Sequence, residues 1–169
     1  FREGILERGD NPDELIKSFG NAISRCVAEK PSDMVITTHM CRGNFQSTWM
    51  TSGGYEPVAE IMFDNLDTDG FFMEYDSDRA GSFEPLRFAN KNQTVILGLV
   101  SSKIAELETK DEIKRRIEEA EKYIPIENLC LSPQCGFSST HHGNNLSVDD
   151  QRKKLELVIE VADEVWGSS

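Results

Sequence analysis

The stretch "TVILGLVSSKIAELETKDEIKRRIEEAE", residues 94–121, contains one complete strand-loop-helix unit. Its first seven residues, Thr94–Val100, are apolar at nearly every position, the pattern of a strand buried on both faces in a parallel sheet. Ser101-Ser102-Lys103 ends the strand, and Thr109-Lys110-Asp111-Glu112 is a capping box that starts a helix. Ile113, Ile117 and Ala120 then recur at helical spacing and mark its inner face. The same grammar repeats on either side. Downstream, Asn128–Ser132 reads as a strand, and Ser147 caps a final helix with the apolar stripe Leu155, Val158, Ile159, Ala162, Val165 and Trp166. Upstream, Phe71-Phe72-Met73 runs into Glu74 as a strand, followed by a polar loop with a helical turn around Phe83–Phe88. Before it stand a strand at Met34–Thr37, a long glycine-bearing loop over Arg42–Gly54, and a helix from Pro57 to Leu66.

The first predicted helix opens at Asn11-Pro12-Asp13-Glu14 and carries Leu15, Ile16, Phe19, Ile23 and Val27 on one face. The order is therefore a helix and then four βα units, an α/β fold with a parallel sheet. A doubly wound sheet and a (β/α)8 barrel both fit that order. Four units make only half of a barrel, which takes about 250 residues. No strand is followed by Gly-x-Gly-x-x-Gly or a P-loop, so nucleotide binding has no support.

With 169 residues, 38% apolar and 28% charged, the chain has the composition of a soluble globular domain. No apolar run approaches the roughly 20 residues of a membrane span, and a net charge of −12 disfavours nucleic-acid binding. Cys26, Cys41, Cys130 and Cys135 are expected to be cytoplasmic thiols, because helical segments of this size do not resemble a small disulfide scaffold. The chain opens Phe1-Arg2-Glu3-Gly4 without a Met, and the expectation is a fragment of a longer protein.

In either α/β architecture, chemistry gathers at the carboxyl ends of the strands. Those ends carry His39 and Cys41, then Glu74, then Ser101-Ser102-Lys103, then Cys135. Two thiolates, an imidazole and a carboxylate form a tetrahedral donor set suited to zinc. The competing reading is a buried cysteine with a solvated histidine and glutamate, and spacing alone does not separate the two. A divalent zinc held by three anionic ligands carries excess negative charge, a poor Lewis acid for a carbonyl. It suits binding a further thiol and leaving its sulfur nucleophilic.

"THMCRGNF", "GFFMEYDSDRAGSFEPLRF" and "IENLCLSPQCGF" together resemble the catalytic carboxy-terminal barrel of cobalamin-independent methionine synthase, and more closely its short single-barrel bacterial relatives. The resemblance runs from "FREG" to the last helix. It implies a TIM barrel of which residues 1–169 are the second half, so that a missing amino-terminal half-barrel or self-association is expected. It implies one Zn2+ on His39, Cys41, Glu74 and Cys135, and methyl transfer from methyltetrahydrofolate or a related donor to homocysteine. Corrinoid-dependent transfer and non-catalytic thiol binding are the alternatives. Most of the family's contacts to its two substrates are then expected upstream of Phe1. The chain departs from the family in two places. The loop after Cys41 is longer, and "LGLVSSK" has no counterpart of the family's acid histidine. Lys103 or Ser102 is the candidate replacement, and Asp76 and Arg79 are candidate substrate contacts.

Other residues have plainer readings. Cys26 and Cys130 are expected to pack in the interior. His141-His142 reads as part of a solvated loop, and the acidic run 118–121 as a solvated helix face.

Overall fold

The computed structural model describes residues 2–138 and 140–167. Four strands, β1 (Thr37–Met40), β2 (Gly70–Glu74), β3 (Thr94–Val100) and β4 (Leu129–Pro133), form one sheet in the order β1-β2-β3-β4. All three pairings are parallel. Helices α1 (Arg2–Glu7), α2 (Pro12–Val27), α3 (Glu56–Asn65), α4 (Lys110–Glu121) and α5 (Val148–Trp166) precede or connect them. Three short 3-10 turns, Asp78–Ala80, Glu84–Phe88 and Ile126–Asn128, complete the described elements.

The predicted caps form. Asn11 accepts the Asp13 and Glu14 amides, Thr109 accepts that of Glu112, and Ser147 and Asp150 form a reciprocal capping box.

The register shows which face the helices cover. Phe71, Val95 and Leu129 lie opposite one another across β2, β3 and β4, and all are buried. One residue along, His39, Phe72, Ile96 and Cys130 form a row on the other face. In that row His39 and Cys130 are exposed and Phe72 is 36% exposed, while Ile96 on β3 is buried. A doubly wound sheet would carry helices on both faces; here strands are added in one direction and one face stays open. The main core lies on the covered side, where Phe63 meets Phe71 edge-on and Tyr75 packs between Tyr55 and Phe83.

Five expectations need correction. The first strand begins at Thr37, three residues after Met34, because the Ile36 amide donates to the Asp69 carboxylate instead of joining the ladder. Arg2–Glu7 forms a helix ahead of the first one predicted. On α2, Phe19 is 58% exposed, because Gly20 and Ser24 make the close contacts with Asn65 at the end of α3. Cys26 lies outside those contacts and is exposed, and Cys130 is exposed on the open side of the sheet. On α5 the buried line is Lys154, Leu157 and Val161; of the predicted stripe Val158, Val165 and Trp166 pack against the core, while Leu155 and Ile159 are exposed.

Candidate metal centre

His39 and Cys41 are two residues apart at the end of β1, so the pleat turns both to one side. Glu74 is the last residue of β2, and Cys135 lies two beyond Pro133, the last of β4. One ligand atom from each of these residues can be chosen so that all four lie within 4.8 Å of one another. His39 Nε2 is 3.7 Å from Cys135 Sγ and 3.7 Å from Glu74 Oε1. A tetrahedral zinc with bonds of about 2.0–2.3 Å needs ligand-to-ligand edges of about 3.3–3.8 Å. The donors therefore fit zinc in chemistry, and both His39 edges fall in that range while the set as a whole gathers within 4.8 Å.

Cys135 has to cross from β4 toward β1, and Gly98 on β3 permits this. A methyl group at Gly98 would lie 2.7 Å from Gln134 Cα and 2.9 Å from the Met73 carbonyl oxygen. The β3–β4 register shifts between Gly98 and Val100, and the Gln134 amide donates to the Val100 carbonyl at 2.8 Å. The chain bends over the glycine and carries Cys135 inward. Ser102 supports the bend: its amide and hydroxyl both donate to Gln134 Oε1, at 3.0 and 2.7 Å.

Glu74 is fully buried and held from three sides. The Arg42 amide donates to Oε1 at 3.1 Å, and Arg79 Nη2 donates to Oε2 at 3.4 Å. Its own amide donates to the Tyr55 hydroxyl at 2.9 Å. Arg79 Nη2 also donates to Asp76 Oδ1 at 2.9 Å, while Ser101 Oγ donates to Asp76 Oδ2 at 2.9 Å. Of the two residues expected as substrate contacts, Arg79 thus engages the Glu74 carboxylate directly and Asp76 engages Arg79. Arg79 Nη1 is buried with no hydrogen-bond partner among the described residues, and Trp49 stacks on the guanidinium.

Lys103 is buried, its amine has no hydrogen-bond partner among the described residues, and burial lowers its pKa below the usual range. The His39 imidazole is held above its ordinary value, chiefly by its contact with Cys135, and burial pushes the Cys41 thiol up. His141 and His142 stack on each other, and His142 meets Phe45 edge-on. Neither belongs to the four-donor group.

Three supports of the site were not read from the sequence. Arg42 lies beneath the site with its guanidinium over the Tyr55 ring at 4.2 Å. Tyr55 is the hub between the ends of β1 and β2, and Asn44 ties the loop after Cys41 to the one after Cys135 through the Gly136 carbonyl at 2.8 Å. A cleft of about 330 Å³ opens beside the donors, lined by His39, Phe72, Ser132, Pro133, Gln134 and Cys135 with Gly136.

A sequence profile described as "Cobalamin-independent synthase, Catalytic domain" matches residues 1–164. The chain belongs to this family. Among curated members and neighbours of the cobalamin-independent synthases, it is 52% identical over 159 residues to the uncharacterized protein YxjG of Bacillus subtilis, covering 94% of this chain and 42% of that protein. It is 24% identical over 139 residues to the 5-methyltetrahydropteroyltriglutamate–homocysteine methyltransferase of Bacillus licheniformis, covering 82% of this chain and 17% of that enzyme. Among solved structures, a putative vitamin-B12 independent methionine synthase from Listeria monocytogenes matches with a TM-score of 0.73 and 37% identity, over 95% of this chain and 44% of that one. The chain spans less than half the length of the curated relatives it matches. Among the described residues no helix is long and apolar enough to cross a membrane.

Proposed function

We propose that this chain carries the metal-holding part of a zinc-dependent methyltransferase that moves a methyl group onto a thiol. Homocysteine is the favoured acceptor and methyltetrahydrofolate or a related compound the donor. The observation that carries this reading is the meeting of His39, Cys41, Glu74 and Cys135 within 4.8 Å from three separate strand ends. Membership of the cobalamin-independent synthase family supports the reaction class.

A bound zinc ion supplies a cationic centre that makes an incoming thiol acidic while its anionic ligands keep the sulfur electron-rich. The chain's own residues do the rest. Arg42 and Arg79 fix the Glu74 carboxylate, so that Oε1 points toward His39. Phe72 and Pro133 give the adjoining cleft an apolar wall that keeps water from one side of the sulfur. Lys103 is the proton donor in this reading, since its buried amine has no other partner, whereas the Ser102 hydroxyl is committed to Gln134. Arg79 Nη1 stays assigned to the substrate side of the rim, whereas both Asp76 oxygens are taken by Arg79 and Ser101.

The four βα units form the second half of a (β/α)8 barrel in the same reading. The open sheet face and the matches to 42–44% of longer relatives support it. Cys41→Ala and Cys135→Ala should each lose both stoichiometric zinc, measured by atomic emission, and methyl transfer. Full zinc content in either variant would remove that residue from the ligand set.

A second reading, thiol binding without catalysis, is favoured by the lack of an imidazole at 101–103. A screen of methyl donors with homocysteine as acceptor separates the two. Thiol deprotonation at the metal without turnover on any donor would establish the binder.

A further inference from the structure

Lys154 is fully buried on α5, in line with Leu157 and Val161, where an aliphatic residue would pack without the cost of burying a charge. Its amine donates to the Glu106 carbonyl at 2.6 Å and to Glu108 Oε2 at 2.9 Å. The other Glu108 oxygen accepts the Ser101 amide at 2.7 Å. Ser101 Oγ donates to Asp76 Oδ2 at 2.9 Å, and Asp76 Oδ1 accepts Arg79 Nη2 at 2.9 Å. That same nitrogen reaches Glu74 Oε2 at 3.4 Å.

An unbroken run of hydrogen bonds thus leads from the outer helix to a candidate metal ligand. Each carboxylate in it is gripped at both oxygens, which fixes its rotation as well as its place. The side chains are shielded: Glu108 is 17% exposed, Arg79 10%, Asp76 5%, and Lys154 and Glu74 not at all. Shielded bonds of this kind are weakened little by solvent and polarise one another.

We propose that Lys154 and Glu108 are positioning residues for the metal centre, holding Ser101, Asp76 and Arg79 so that Glu74 offers Oε1 alone to the ion. The inference rests on the metal reading above. A purely structural ion pair would pin α5 to the β3–α4 loop and leave metal affinity untouched, whereas a positioning role changes the affinity itself. Partners beyond the ligands are typically worth about 10–100-fold in metal affinity.

The test is zinc affinity of the full-length protein, measured by competition with a chromophoric chelator, together with the visible spectrum of the Co2+ form. Lys154→Met keeps the packing volume and removes the amine; Ser101→Ala cuts the run at its middle and is the milder change. Both should weaken zinc about tenfold and alter the Co2+ bands. Lys110→Met, which breaks two exposed pairs between α4 and α5 and touches no member of the run, should shift neither. If Lys154→Met does not fold, Ser101→Ala decides alone. Wild-type affinity and an unchanged Co2+ spectrum in Ser101→Ala overturn the proposal while leaving the metal reading intact. A wild-type protein that takes up no zinc overturns both.

Discussion

Gly98 shows how a single residue governs the candidate site. Its hydrogen faces the Gln134 backbone, so Gly98→Ala forces the chain before Cys135 outward. The expected result is a loss of about 1–3 kcal/mol in urea unfolding together with weaker zinc binding; unchanged affinity would mean that Cys135 is placed by other contacts. Lys103 gives a prediction with a defined sign. Burial lowers its folded pKa below the ordinary 10.5, so the unfolded chain holds the proton more tightly than the folded one. The penalty is present in full below the folded value, and stability rises with pH from there to 10.5. Lys103→Met should therefore unfold at higher urea than wild type at neutral pH, with the difference shrinking toward pH 10.5. A difference independent of pH would show that the amine is not desolvated. At this scale the donors were legible because type and position coincide: His39 and Cys41 share a face, and Glu74 and Cys135 follow strands. Arg42 and Tyr55 were not. Their roles use a backbone amide and a phenol across chain separations of 32 and 19 residues, which no local pattern records.

Among the elements, α4 and α5 are joined at the surface by Glu164, which takes Lys110 at 2.8 Å and also pairs with Lys114. These partners lower the Glu164 carboxyl from 4.5 to about 2. Its stabilisation is present above pH 4.5 and is lost as pH falls through about 2. Glu164→Gln should flatten that part of the acid-unfolding curve, measured by circular dichroism, and added salt should reduce the effect in wild type. A variant with the wild-type acid slope would show that the pair contributes nothing. Element type and order could be read from period and caps, as Thr109 and Ser147 illustrate. Helix phase was harder. From Leu155 to Trp166, apolar residues cover more than one face of α5, so the sequence permits two rotations. Packing against β4 and α4 chose an intermediate one that buries Lys154, Leu157 and Val161 and keeps Val158, Val165 and Trp166 against the core. The first strand moved for a similar reason, since Asp69 captures the Ile36 amide from a part of the chain that no window around Met34 includes.

The whole molecule has one covered sheet face and one open one, and apolar groups lie exposed beyond the core. Phe72 on the open face, Phe19 and Ile23 on α2, and Val35 at 76% exposure mark surfaces that want a partner. The strands β1 and β4 each have one unpaired edge. Residues 1–169 expressed alone should associate, and sedimentation velocity at several concentrations should show mass rising with concentration. A stable monomer would remove the half-barrel proposal. By itself the sequence determined the βα alternation and the helix caps, and it placed His39, Cys41, Glu74 and Cys135 at strand ends as candidate donors, because these follow from local periodicity and residue chemistry. Only the tertiary structure decided the strand order, the face left open, the bend at Gly98 and the polar run behind Glu74. Each of these depends on groups far apart in the chain being brought within a few ångströms, a relation that local patterning does not encode.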